Sequence, residues 1–465
     1  MSIDVVEAPV AEAAPHRPQR PARQPASSLF RVIWRWHFYA GLIVSPLIIV
    51  AALTGGIYLF GAEIVDLANR QLLFVESVGQ PVPYQRLIDA AEAAVPGGTA
   101  TRIVVHTEPS RAAAVTVSPP AEESPAADGA SSRSDRGRTV YVDPYTAEVQ
   151  GTLDGPLPLE SFFRIVRQIH QRLFAGTTGR ILVELATTWT LILILSGVYL
   201  WWPRRKEKTK GVWLPRWPAK PYTVLRDVHA LAGVYLVPVC LVIILSGLYY
   251  SLVWGESFHF VSKQFFATAA VEDVEQSGDD AEDATPYVAP AFTLQQAITK
   301  ARSVHPVRDV TVTLPSQSAD HYEVSAINDY ARGTYGAMNS SSYKIHRETG
   351  EVLELSHLSE SERWWGHAWA YPLHVGSIVG PLSKIVWLLA SLVLVVLPFT
   401  GLWMWWKRRP QGGTGFPRKP SFEVVPAWIW ISIVLLCLLL PMFGISVLAI
   451  LVADRLVRSL RPTPA

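Results

Sequence analysis

The chain has 465 residues, of which 49% are hydrophobic and 17% charged, with a formal net charge of +2. That balance gives no footing for nucleic acid. Its two cysteines, Cys240 and Cys437, both lie in apolar runs. An extracytoplasmic disulfide framework, a CxxCH haem attachment and cysteine-based zinc or iron–sulfur sites are therefore excluded.

Residues 1–30 are polar and rich in Pro, Ala and Arg, and read as a disordered tail without a cleavable signal. A first span follows at 31–60. Residues 61–165 open on a helical stretch (YQRLIDAAEAAV), continue with alternating strands (TRIVVHT, AAAVTVS) and close on a strand–turn–strand signal (TVYVDPYTAEVQGTL). That pattern predicts a small α+β domain, with PPAEESPAADGASSRSDRGR as a floppy insertion. Residues 166–203 carry His170 and the second span, 204–228 form a basic loop, and 229–254 the third span. After the acidic linker EDVEQSGDDAED, 255–362 repeat the α+β pattern (LQQAITKARSV, RDVTVTL, HYEVSAI, SYKIHRETGEVLEL). Residues 363–406 hold His367, His374 and the fourth span. A second basic loop at 407–425 precedes an appended fifth span at 426–453, with Pro441 and Gly444 as candidate breaks, and a tail at 454–465.

The apolar runs match the roughly 20 residues a bilayer crossing needs. The fold class is thus a polytopic α-helical membrane protein with two small extracytoplasmic α+β domains. Lys and Arg place the N-terminus and both basic loops in the cytoplasm. Span five fits that topology poorly, because Arg455, Arg458 and Arg461 would lie outside.

The span–domain–span unit reads as a duplication. Spans one and three, HFYAGLIVSPLIIVAALTG and HALAGVYLVPVCLVIILSG, match at an offset of 192 (229 − 37). Spans two and four match at 204 (374 − 170), pairing His170 with His374, Arg180 with Lys384 and Gly197 with Gly401. Two like units imply a pseudo-twofold axis along the membrane normal.

That axis would set His37 opposite His229 near the cytoplasmic surface, and His170 opposite His374 near the outer one. Gly41 and Gly233 follow the first pair by one turn, and Gly55 and Gly247 return to the same face roughly 27 Å further on. Bare patches beside imidazoles suit a flat macrocycle, although close helix packing of the small-xxx-small kind also uses them. Two imidazoles facing across an axis are the ligand set of a b-type haem, and each could instead pair with a histidine of another level. A histidine at a span end is otherwise a headgroup-level residue. Zinc fits less well, with two nitrogens at each level where structural sites want four ligands. Arg35, Arg226, Arg180 and Lys384 are placed for haem propionates or for lipid phosphate. His367, whose repeat partner is Phe163, is an alternate ligand, a substrate contact or an exposed residue. His106, His259, His305, His321, His346 and His357 read as domain surface or interface.

WHFYAGLIVSPLIIVAALTG, VHALAGVYLVPVCLVIILSGLYY and the G-x-Y/W-x-W-W-[PK]-[RK]-R span ends resemble the PepSY-associated transmembrane family. That family includes PiuB-like iron-regulated membrane proteins and FoxB-type siderophore reductases. The resemblance implies PepSY-like periplasmic domains on a Gram-negative inner-membrane protein of iron acquisition. It further implies two non-covalent b-type haems, with His37, His229, His170 and His374 as axial ligands, and transmembrane reduction of ferric siderophore. No G-x-G-x-x-G follows a predicted strand, so the electron donor would be a quinol or a separate reductase. The other readings are a non-redox scaffold or sensor, and an iron-chelate permease. Against the permease, the sequence shows no broken helices or paired charges in the spans.

Overall fold

The computed structural model describes residues 28–120, 137–203, 210–265, 292–304, 309–316, 319–327, 341–357, 369–417 and 425–460. The expected tail before residue 28, most of the insertion, the acidic linker, His305 and His367 lie outside the described residues.

Among the described residues three helices are long and apolar enough to cross a membrane: α1 (Ser28–Tyr58), α6 (Gly176–Trp201) and α12 (Pro381–Arg408). Together α7 (Pro221–Tyr235) and α8 (Val237–Leu248) are also long and apolar enough for a fourth crossing. Both α1 and the α7–α8 pair lie against α6 and α12. They therefore stand diagonally across a four-membered bundle.

One span expectation is corrected, and one candidate break is found in place. The third span is not one helix: α7 and α8 meet at a 55° bend. Pro238 offers no amide to the Val234 carbonyl, and its ring crowds that oxygen. Pro46, its counterpart, sits inside an unbroken α1. There the neighbouring Ser45 hydroxyl donates to the Gly41 carbonyl, a bond that Val237 cannot make. The fifth segment is also broken, into α13 (Ala427–Leu439) and α14 (Pro441–Ser459), with Leu440 off the helical path at φ −122° and ψ 84°. The 13 residues of α13 rise only about 20 Å, short of the ~30 Å hydrocarbon core. The break is seated inward, with Leu440 and Phe443 buried against Leu191, Ile244 and Leu248.

Beyond α1, the short helices α2 (Gly61–Ala68) and α3 (Arg70–Leu73) lead to α4 (Tyr84–Ala94) and strands β1 (Thr99–Val105), β2 (Ala113–Ser118), β3 (Arg138–Val142) and β4 (Val149–Leu153). The second half follows α9 (Val253–Phe265) with α10 (Leu294–Val304), β5 (Asp309–Thr313), β6 (His321–Ile327), β7 (Ser341–His346) and β8 (Val352–His357). The sequence suggests two separate domains, but the strands form one antiparallel sheet in the order β4-β3-β2-β1-β5-β6-β7-β8. The seam runs from Arg102 opposite Thr313 to Val105 opposite Val310. Left alone, β1 and β5 would each present an unpaired edge; joining them removes both. Helices α4 and α10 share one core with the sheet, through Leu87, Ile103 and Val115 from one half and Ile298, Val312 and Val324 from the other.

His106 closes the seam as an interface residue, with its Nδ1 2.7 Å from Asp309 Oδ2. The Thr107 amide donates to Asp309 Oδ1 at 2.7 Å. Arg302 donates to the His106 carbonyl and to the Tyr84 hydroxyl, each at 3.0 Å. Burial alone would raise the Asp309 pKa, but the bonds from His106 and Thr107, with Arg111 nearby, hold it below its ordinary value.

Candidate functional site

On the sheet side of the bundle, His170 ends the amphipathic helix α5 (Glu160–Arg172) and His374 ends the short helix α11 (Tyr371–His374). The chain reverses after α5 through Leu173 and Phe174 in the left-handed conformation. It then packs so tightly on α6 that a Cβ at Gly179 would overlap the Arg172 carbonyl. After α11 the equivalent contact is a hydrogen bond, Ser383 Oγ donating to the Gly376 carbonyl at 2.6 Å. Trp387 Nε1 donates to the Leu373 carbonyl at 2.8 Å. These anchors bring the His170 and His374 rings together across the bundle, with centres 6.0 Å apart and planes tilted by 49°. On the far side, His37 of α1 and His229 of α7 lie within electrostatic reach of each other.

All four imidazoles sit in the same kind of seat, built by a span helix that does not carry the histidine. His37 Nδ1 is 2.8 Å from Ser196 Oγ and beside the Leu193 carbonyl of α6. His229 Nδ1 is 2.7 Å from Thr400 Oγ1 and beside the Leu397 carbonyl of α12. His170 Nδ1 is 3.0 Å from the Ala51 carbonyl and 3.3 Å from Thr54 Oγ1 of α1. His374 Nδ1 is 2.9 Å from the Ile243 carbonyl of α8. In each case a hydroxyl-glycine dipeptide follows one turn after the carbonyl: Ser196-Gly197, Thr400-Gly401, Thr54-Gly55 and Ser246-Gly247.

The glycine explains the carbonyl. A helical carbonyl already accepts the amide four residues on, and the side chain at that residue shields its second lone pair. Here that residue is glycine, so the imidazole edge can approach. A Cβ on Gly55, Gly197, Gly247 or Gly401 would lie 3.2, 3.4, 2.8 or 3.7 Å from Cε1 of His170, His37, His374 or His229 respectively.

The proton bookkeeping is then fixed. A carbonyl only accepts, so Nδ1 of His170 and His374 carries hydrogen. Ser196 Oγ donates to Ile192 at 2.7 Å and Thr400 Oγ1 to Leu397 at 2.7 Å, so both hydroxyls accept from their histidines. In the neutral imidazole this leaves the Nε2 lone pair of all four rings available. All four histidines are half-buried. A lone pair oriented by a hydrogen bond at the other ring nitrogen is what a metal-binding histidine requires. Among the described residues no three or more His, Cys, Asp or Glu side chains converge on one point. Each pair can supply two imidazole nitrogens.

Other expected site residues behave differently. Gly55 and Gly247 do not clear room for a macrocycle, because the sheet-side imidazoles themselves fill those patches. Gly233 does face open space, with nothing within 4 Å of where a Cβ would stand, and Gly41 meets only Leu193 at 3.8 Å. Lys384 is buried and bound to Glu63 at 2.5 Å, so its charge is already balanced within the protein. Arg180 is half-buried one turn into α6. Arg226 turns to Asp227, which also binds Arg216. Phe163 packs on Gly61, and His259 stands edge-on to Tyr249.

Sequence reasoning missed Ser196 and Thr400 as partners, and saw Gly197 and Gly401 only as repeat matches. The signal was present: a hydroxyl residue followed by glycine occurs in each of the four spans that build a seat, a second one opening α6 at Thr178-Gly179.

The sequence profile of the PepSY-associated TM region matches residues 34–408, well over half of the chain. The chain belongs to this family. In this PepSY-associated membrane protein the match begins just before the first far-side imidazole and ends at the close of α12, so it takes in all four seats. No curated protein matches the chain.

Proposed function

We propose that this protein is a di-haem b oxidoreductase of the bacterial inner membrane, moving electrons across the bilayer to reduce ferric siderophore at the sheet side. The observation that carries the reading is the fourfold seat, which holds every imidazole by Nδ1 and leaves its Nε2 lone pair to bind a metal. Fit is tested on the sheet-side pair. With about 1.1 Å from each ring centre to its nitrogen and about 2.0 Å from nitrogen to metal, a metal shared by the pair would ask for about 6.2 Å between centres. The rings stand 6.0 Å apart. His170 with His374, and His37 with His229, would each hold one haem, which when bound supplies a one-electron ferric/ferrous couple.

The chain's own part is to hold and orient. Carbonyls of Ala51, Ile243, Leu193 and Leu397 fix the ring planes, and the glycines let the rings reach them. Along α1 the far-side level at His37 and the sheet-side seat at Ala51 are separated by roughly 21 Å, fourteen residues at 1.5 Å each. The two levels thus cover most of the hydrocarbon thickness. Reduction of the iron substrate favours release because Fe(II) binds hard oxygen chelators much more weakly than Fe(III). We also infer that the halves descend from one duplicated unit, since partners at offsets of 192 and 204 occupy equivalent seats.

Pyridine haemochrome assay of the purified full chain tests the proposal. Two haems per chain are expected, with spectra that change on dithionite addition. A colourless, folded, haem-supplied preparation would leave only a membrane scaffold or sensor. One observation favours a permease instead: the bend between α7 and α8 removes one of the two grounds on which the sequence argued against it, the absence of broken helices. Accumulation of intact labelled chelate in vesicles, without iron reduction, would select that reading.

A further inference from the structure

A cleft of about 540 Å³ opens on the far side of the bundle, between the start of α7 and the end of α12, lined by Lys220, Pro221, Tyr222, Trp403, Lys407 and Arg408. Its three cations have no carboxylate partner among the described residues. Asp227, the only acid of α7, is taken up by Arg216 and Arg226. Lys407 and Arg408 suit the negative end of the α12 dipole, but Lys220 stands at the positive end of α7, where no acid occupies the first turn. A cation there is electrostatically misplaced unless an anion joins it. The walls are apolar and aromatic, Pro221, Tyr222 and Trp403, and continue onto the lipid-facing surface of α12, where Trp403 and Phe399 are exposed.

We propose that this cleft is a headgroup site for an anionic phospholipid. The phosphate would sit among Lys220, Lys407 and Arg408, and the glycerol and upper acyl chain would lie along Tyr222 and Trp403. Basic pockets between membrane helices at the bilayer surface select acidic lipids in this way, and the aromatic wall distinguishes a lipid from a free phosphate ion. The inference does not depend on the redox reading, because no histidine contributes to the cleft.

Native mass spectrometry of the full-length protein in detergent tests it, with phosphatidylglycerol, phosphatidylcholine or inorganic phosphate added. Phosphatidylglycerol should bind at least tenfold more tightly than phosphatidylcholine, and inorganic phosphate at equal concentration should not displace it. The combined Lys220→Gln, Lys407→Gln and Arg408→Gln variant should lose that preference. Removing charge elsewhere, with Arg455→Gln and Arg458→Gln, should preserve it. Should the triple variant fail to fold, Lys220→Gln alone, at an exposed position, should weaken phosphatidylglycerol binding several-fold, and Lys220→Arg should restore it. Equal binding of the two lipids, displacement by inorganic phosphate, or a preference unchanged in Lys220→Gln would each overturn the site.

Discussion

The two imidazole levels reach one geometry from different starting points. On the far side the histidines stand on the spans themselves, α1 and α7, and lean on a neighbouring span through a hydroxyl. On the sheet side they stand outside the spans, on α5 and α11, and lean inward onto bare backbone carbonyls of α1 and α8. The constant element is the receiving helix, with its carbonyl, hydroxyl and glycine in fixed order. What carries the histidine is free to vary, from the 13 residues of α5 to the four of α11.

If the levels are independent, His229→Ala should give the largest and most selective effect. It should halve the haem content by removing the far-side signal and leave the sheet-side spectrum intact. Equal loss of both signals in a folded protein would break the comparison. The glycines grade the seats next. Added methyls overpack by about 1–3 kcal/mol where neighbours cannot yield. The separations rank the damage as Gly247→Ala, then Gly55→Ala, then Gly197→Ala, then Gly401→Ala. Thermal melting and haem retention should follow that order, with the sheet side the more sensitive.

Removing the hydroxyls should do less. Loss of an oriented second partner commonly costs 10–100-fold in metal affinity, but Ser196→Ala and Thr400→Val leave the Leu193 and Leu397 carbonyls in place. A drop of about tenfold or less is expected there, and none for Ser246→Ala, whose hydroxyl only serves its own helix. The smallest effect concerns the seam between the halves. Because the folded-state pKa of Asp309 lies below its ordinary 3.8, its stabilising share is complete above that value and is lost as pH falls below it. Acid titration of melting temperature should show that loss, and Asp309→Asn should flatten it.

Much of the membrane architecture was legible because it rests on periodicity and hydropathy. The pairing of His170 with His374 follows from repeat offsets and symmetry alone. The break at Leu236 was not legible, since Pro46 and Pro238 occupy matching positions and only the neighbour, Ser45 against Val237, distinguishes them. The union of the strands into one sheet was hidden as well. Edge pairing between β1 and β5 depends on two edges meeting in space, and nothing in TRIVVHT or RDVTVTL names the partner. The imidazole seats were readable in principle, but Gly197 and Gly401 carry no mark in the sequence that ties them to His37 and His229, which lie on other helices.

The β1–β5 seam also has a mechanical meaning. It is a cross-brace: a continuous ribbon of hydrogen bonds ties the two halves of the chain together on one side of the bundle, so neither can tilt without shearing the other. A rocker-type transporter would need that joint to give on every cycle, whereas a fixed conductor of charge benefits from its rigidity.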